Sequence, residues 1–109
     1  MSASKRKGSD FERDVCQYLR DRLGLPVERR VIGGTLDRGD CAGIPGWVLE
    51  MKACRQIDLS GWMDEAHKEA SNDSAPFYAV VAKRRMKGVQ QAYVVMPLEI
   101  WADWYRGTR

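Results

Sequence analysis

The sequence predicts a mixed α/β fold, a β-sheet flanked by helices in the order α-β-β-β-α-β-β-α. Apolar residues recur at helical spacing in three separate stretches. Between them lie short β-favouring runs bounded by glycine and proline. One of these, residues 77–83, is almost continuously apolar, as a strand covered on both faces requires. The length of 109 residues fits one domain spanning the whole sequence.

Ser9 or Asp10 is suited to cap the first helix, on which Phe11, Val15, Tyr18, Leu19 and Leu23 form the apolar stripe until Gly24 and Pro26 stop it. Glu12 shares a face with Val15 and Leu19, so its carboxylate runs along the margin of the core. Residues 1–8 are polar and basic with no apolar run behind them; they read as a flexible arm and not as a secretory signal. Residues 27–32 alternate as a strand with Arg29 and Arg30 on opposite faces, and Gly33-Gly34-Thr35 follows as a loop.

Residues 39–52 read as two short strands reversed around Gly43 to Gly46, which sets Asp40 opposite or diagonal to Glu50. Alternation puts Val48, Glu50 and Lys52 on one face of the second strand and Leu49, Met51 and Ala53 on the other. Asp58 or Ser60 caps a second helix to about Ser71, with Leu59, Trp62, Met63, Ala66 and Ala70 facing inward. After the break at residues 72–76, the apolar strand 77–83 is expected to lie parallel to the strand before the helix. A basic turn ending at Gly88 leads to a strand over 90–96, and Pro97 opens the last helix. On that helix Leu98, Trp101, Trp104 and Tyr105 mark a buried or partner-facing side.

The net charge is +3 and the pI about 8.9, and the positive residues are clustered at Lys5-Arg6-Lys7, Arg29-Arg30 and Lys83-Arg84-Arg85-Met86-Lys87. Such clusters fit a polyanionic partner as well as an ordinary solvated surface. Cys16, Cys41 and Cys54 are odd in number and scattered, which argues against a disulfide framework and for thiols in a reducing cytoplasm. These cysteines and His67 lack the paired spacing of a zinc site, and His67 reads as an exposed helix residue. No run is long enough to span a bilayer.

Asp40, Glu50 and Lys52 on strands otherwise built for burial need either mutual pairing or a metal, because desolvating a charge is costly. A Glu50–Lys52 ion pair on an edge strand would satisfy the first condition with little energetic consequence. Two carboxylates without histidine or thiolate partners suit magnesium, or manganese in its place. A lysine beside them is placed to stabilise charge developing on a phosphoryl group, a set sufficient for phosphodiester hydrolysis.

Asp40 followed by Glu50-Met51-Lys52, with a helical Glu12 upstream, resembles the Asp…Glu-x-Lys signature of the PD-(D/E)XK nucleases, which share the restriction-endonuclease-like fold. Lys7-Gly8-Ser9-Asp10-Phe11-Glu12-Arg13, the Arg29-Arg30 strand and the small-residue loop are similar to the archaeal-type Holliday-junction resolvases, a likeness running from Lys5 to about Val95. The resemblance implies catalytic roles for Glu12, Asp40, Glu50 and Lys52. Asp40, Glu50 and the Met51 carbonyl would ligate Mg2+, with Glu12 as a further acidic residue. Contacts to the DNA backbone would come from Arg30, Thr35 and the basic Lys5, Arg6 and Lys7, and the charge clusters add Arg29 and the basic turn Lys83, Arg84, Arg85 and Lys87. It implies a homodimer acting on branched, four-way DNA, with neither a membrane nor a small-molecule cofactor involved. Gly39 stands where the family's signature has proline, and the tryptophan-bearing last helix has no match. A fork, flap or nicking nuclease, or a non-catalytic DNA-binding recombination module, is compatible with the same residues.

Overall fold

The computed structural model describes residues 3–30 and 41–107, with side chains from residue 8 onward. In chain order the elements are α1 (Ala3–Leu23), β1 (Glu28–Arg29), β2 (Cys41–Ala42), β3 (Trp47–Lys52), α2 (Leu59–Asn72), β4 (Phe77–Ala82), β5 (Tyr93–Val95) and α3 (Leu98–Gly107), with a 3₁₀ turn at Val89–Gln91 before β5. The class is mixed α/β, as expected. The described strands form two small sheets rather than one, an antiparallel pair β1-β2 and a three-stranded sheet ordered β3-β4-β5.

β3 and β4 are parallel and in register from Trp47↔Phe77 to Lys52↔Ala82, joined through α2 as the apolar strand required. β5 adds to β4 antiparallel, with Val80↔Val95 and Ala82↔Tyr93. The two faces of this sheet carry separate cores. Val48, Val80 and Ala82 pack with Trp62, Ala66 and Ala70 of α2 and with Ile100 of α3. Met51 and Val81 pack with Phe11, Val15 and Cys16 of α1, and with Val27 and Cys41. The alternation of β3 is therefore as the sequence indicates, and it sends Glu50 and Lys52 towards α2.

Several boundaries and contacts differ from expectation. α1 begins at Ala3, so Lys5-Arg6-Lys7 belongs to its first turns and not to a flexible arm; alanine, lysine and arginine propagate a helix well enough to outweigh one glycine at position 8. β2 pairs with β1 (Glu28↔Ala42, Arg29↔Cys41) and not with β3 as a hairpin. The turn between β2 and β3 is instead closed by the Trp47 amide donating to the Ile44 carbonyl at 3.2 Å. Leu23, Leu59, Leu98, Trp101, Trp104 and Tyr105 are all exposed, and on α3 only Ile100 is buried. α2 is capped by Asp58, which accepts from the Gly61 amide at 3.1 Å.

The expectation of unpaired thiols also gives way. Cys16 and Cys41 form a disulfide between α1 and β2, with Cα atoms 6.4 Å apart, and Cys54 is free and exposed. Scattered positions concealed a pair that meets where β2, paired to β1, packs against α1, and the thiol argument for a reducing compartment falls with it. No helix among the described residues is long and apolar enough to cross a membrane.

Candidate active site

Glu50 projects from the middle of β3 beneath α2 and is 6% exposed. Two residues on, Lys52 emerges from the same face, its ammonium 3.5 Å from Glu50 Oε1 and 2.8 Å from Glu65 Oε2. Glu65 and Glu69 sit four residues apart on α2, one turn, so both carboxylates face the strand. Glu69 is almost wholly buried. One carboxylate oxygen from each of Glu50, Glu65 and Glu69 lies within 4.8 Å of the other two.

Electrostatics hold Lys52 in its charged form. Burial alone would lower its pKa, but the hydrogen bond to Glu65 and the charges of Glu50 and Glu65 outweigh it and raise the ammonium above the usual 10.5. At neutral pH Lys52 is a cation, suited to stabilising negative charge and not to accepting a proton.

The donor set fits a hard divalent ion. All three groups are carboxylates, and a six-coordinate magnesium with oxygens at about 2.1 Å spaces its ligands about 3 Å apart at neighbouring positions and about 4 Å across. The three oxygens lie within 4.8 Å of one another, so a modest inward shift of the side chains would bring them to that spacing. Fully ionised, the three carboxylates with the Lys52 ammonium would carry a formal charge of −2, which a divalent cation would balance.

Of the residues singled out in the sequence, Glu50 and Lys52 are brought together. Asp40 and Thr35 lie outside the described residues, as do the side chains of Lys5, Arg6 and Lys7. Met51 is buried in the α1-side core, with its backbone in the β3 ladder beside Glu50. Glu12 is held apart on the α1 side, where Arg29 Nε donates to its Oε2 at 2.9 Å and Arg29 Nη2 donates to Ser9 Oγ at 3.2 Å. Arg30 turns the other way, to Asp73 at the end of α2, at 3.5 Å through both Nη atoms. It lines an open cleft of about 390 Å³ with Leu25, Pro26, Ile44, Trp47 and Asp73.

The basic turn is tied to the site by the backbone. The Lys83 amide donates to the Lys52 carbonyl at 2.8 Å, so the turn starts immediately beside the candidate lysine. Lys83, Arg85 and Lys87 are exposed, and Arg84 is half-buried against Tyr93 and Gln91. Glu65 and Glu69 were missed in the sequence because acids on a helix usually mark its solvent side. Their spacing from Trp62, three and seven residues on, was the available signal that they share its inward face. No protein-family model, curated protein or solved structure matches this chain.

Proposed function

We propose that this chain is a metal-dependent, structure-selective DNA endonuclease of the PD-(D/E)XK type, most akin to the Holliday-junction resolvases and acting as a homodimer with one site per subunit. The observation that carries the reading is the Glu50–Lys52 pair, two charged groups on one face of an otherwise apolar strand and converging on further carboxylates. A strand that needed only burial would carry neither. The basic turn that starts at the Lys52 carbonyl supplies the complementary surface for a phosphodiester chain.

Glu50, with Asp40 and the Met51 carbonyl, would hold the divalent cation, and Glu65 and Glu69 are additional oxygen donors at the same place. When bound, magnesium or manganese supplies Lewis-acid polarisation of the scissile phosphoryl group. Lys52, kept protonated by its neighbours, stabilises the negative charge that accumulates on the phosphoryl oxygens as water adds and the ester oxygen departs. Exposed lysines and arginines of the 83–87 turn orient the strand by its phosphates. Glu12, paired with Arg29 on the α1 side of the sheet, stands apart from this cluster.

The test compares four-way, forked, linear and single-stranded DNA with Mg2+ or EDTA. Magnesium-dependent cuts in the branched substrates are expected, abolished by Lys52→Ala while binding persists. Full cleavage by that variant would sink the assignment. Salt-sensitive binding with no magnesium-dependent product would identify a non-catalytic DNA-binding module.

A further inference from the structure

The register of the three-stranded sheet sets Lys52, Ala82 and Tyr93 in one row, through the pairs Lys52↔Ala82 and Ala82↔Tyr93. Residues directly opposite one another in a ladder share a face. Tyr93 therefore stands on the same face as Lys52, two strand spacings away, about 10 Å. Among the described strands it lies on an edge, and it is 51% exposed, a large aromatic left open beside a charged site. The Arg84 guanidinium carbon lies 5.5 Å from the centre of its ring, within cation–π range, and Arg84 Nη1 donates to Gln91 Oε1 at 3.2 Å. The arginine is thus fixed at both sides while the tyrosine ring keeps solvent-facing surface. Lys83, Arg85 and Lys87 surround the pair with exposed positive charge.

An open aromatic ring, a guanidinium in contact with it and a basic rim are the components by which proteins hold unpaired nucleotides, through stacking on the base and charge on the backbone. Building on the phosphodiesterase reading of the Lys52 site, we propose that Tyr93 and Arg84 form a stacking platform for an unpaired nucleobase next to the bond that is cut. The platform favours a branch at which a strand is splayed or unpaired over an intact duplex. A duplex keeps its bases stacked inside and offers the platform only its phosphates. Every base has a stackable face, so the preference is for strand state and not for sequence.

The test uses the full chain and synthetic oligonucleotides carrying 2-aminopurine in a single-stranded segment, with a matched duplex, in EDTA so that nothing is cut. The wild type is expected to quench the fluorescent base on binding. Tyr93→Leu should lower the single-strand over duplex affinity ratio on the order of ten- to a hundred-fold, the range of one lost base-stacking contact. It should leave the salt dependence of binding as steep as before. Tyr93→Phe should keep both the ratio and the quenching, and Arg84→Gln should reduce the salt slope by about one unit while also weakening the quenching. A ratio unaltered by Tyr93→Leu, or lowered equally by Tyr93→Phe, overturns the platform. Magnesium-dependent cleavage with no role for Tyr93 would leave the nuclease and remove the platform. Tyr93-dependent stacking without cleavage would do the reverse.

Discussion

The ammonium of Lys52 donates a 2.8 Å hydrogen bond to the carboxylate of Glu65, joining the last residue of β3 to the middle of α2. Glu65 is 44% exposed at its side chain but Lys52 only 17%, so the contact is partly screened from one side and desolvated from the other. The same ammonium is 3.5 Å from Glu50, so it bridges two of the three carboxylates that lie within 4.8 Å of one another.

Replacing that cation should therefore cost more than an ordinary surface pair. Lys52→Met is expected to lose about 1–3 kcal/mol, between the cost of an exposed ion pair and that of a buried one. Added magnesium should restore a larger share of stability to the variant than it adds to the wild type, because a ligand that binds only the folded state stabilises it. Thermal melts with and without millimolar Mg2+ measure both quantities. Equal melting temperatures for the two proteins in EDTA would mean that the pair contributes nothing, and no magnesium response in either would remove the carboxylates as a metal site.

Alkaline pH should destabilise the fold through Tyr78. Burial, then the charges of Glu99 and Asp64, raises its phenol above the ordinary 10.0. The folded protein keeps this proton where the unfolded chain has released it. The contribution is thus complete below about pH 10 and is lost as pH rises through the folded value. Lys52, also raised, acts with the same sign. Melting temperatures should fall above about pH 10, and Tyr78→Phe should flatten part of that fall. A variant that follows the wild-type curve point for point would show that the phenol plays no part.

The sequence made β3 legible because its face alternation depends only on a period of two, and that period puts Glu50 and Lys52 together whatever the strand pairs with. The partner of β2 was not legible. Gly43 to Gly46 carries the residues of a tight reversal, yet β2 pairs with β1 and Gly43 packs closely against the backbone of Pro26, far away in sequence. Arg29 and Arg30 were assigned to opposite faces and do engage opposite helices, through Glu12 and Asp73. Their occupation by those acids is tertiary information, as is the meeting of Cys16 with Cys41. On α3 the apolar periodicity was real, but only Ile100 finds a core to enter.

The disulfide predicts a redox-dependent stability. Cys16 and Cys41 are 25 residues apart, and closing a loop of that length restricts the unfolded chain by about 3.5 kcal/mol. Reduction, or Cys16→Ser with Cys41→Ser, should lower the unfolding free energy accordingly, whereas Cys54→Ser should leave it within about 0.5 kcal/mol because Cys54 is exposed and free. Denaturant titrations with and without reductant provide the comparison. An identical midpoint in both would show that the bridge does not contribute in solution.

Gly43 has a φ of +96°, and a Cβ there would come within 2.3 Å of the Pro26 carbonyl oxygen. That neighbour is backbone, so no side-chain rotation relieves the clash, and the turn must move away from the segment leading into β1. Gly24, with φ +69°, has open space around the same position. Gly24→Ala should then cost only the left-handed backbone penalty, about 1 kcal/mol, whereas Gly43→Ala adds a steric displacement and should cost about 2–4 kcal/mol. Because Gly43 lies between the β1-β2 pair and β3, its substitution should also disturb the Arg30 cleft, which it lines. Chemical denaturation of the two variants separates the contributions, and equal losses would mean that the approach to Pro26 relaxes freely.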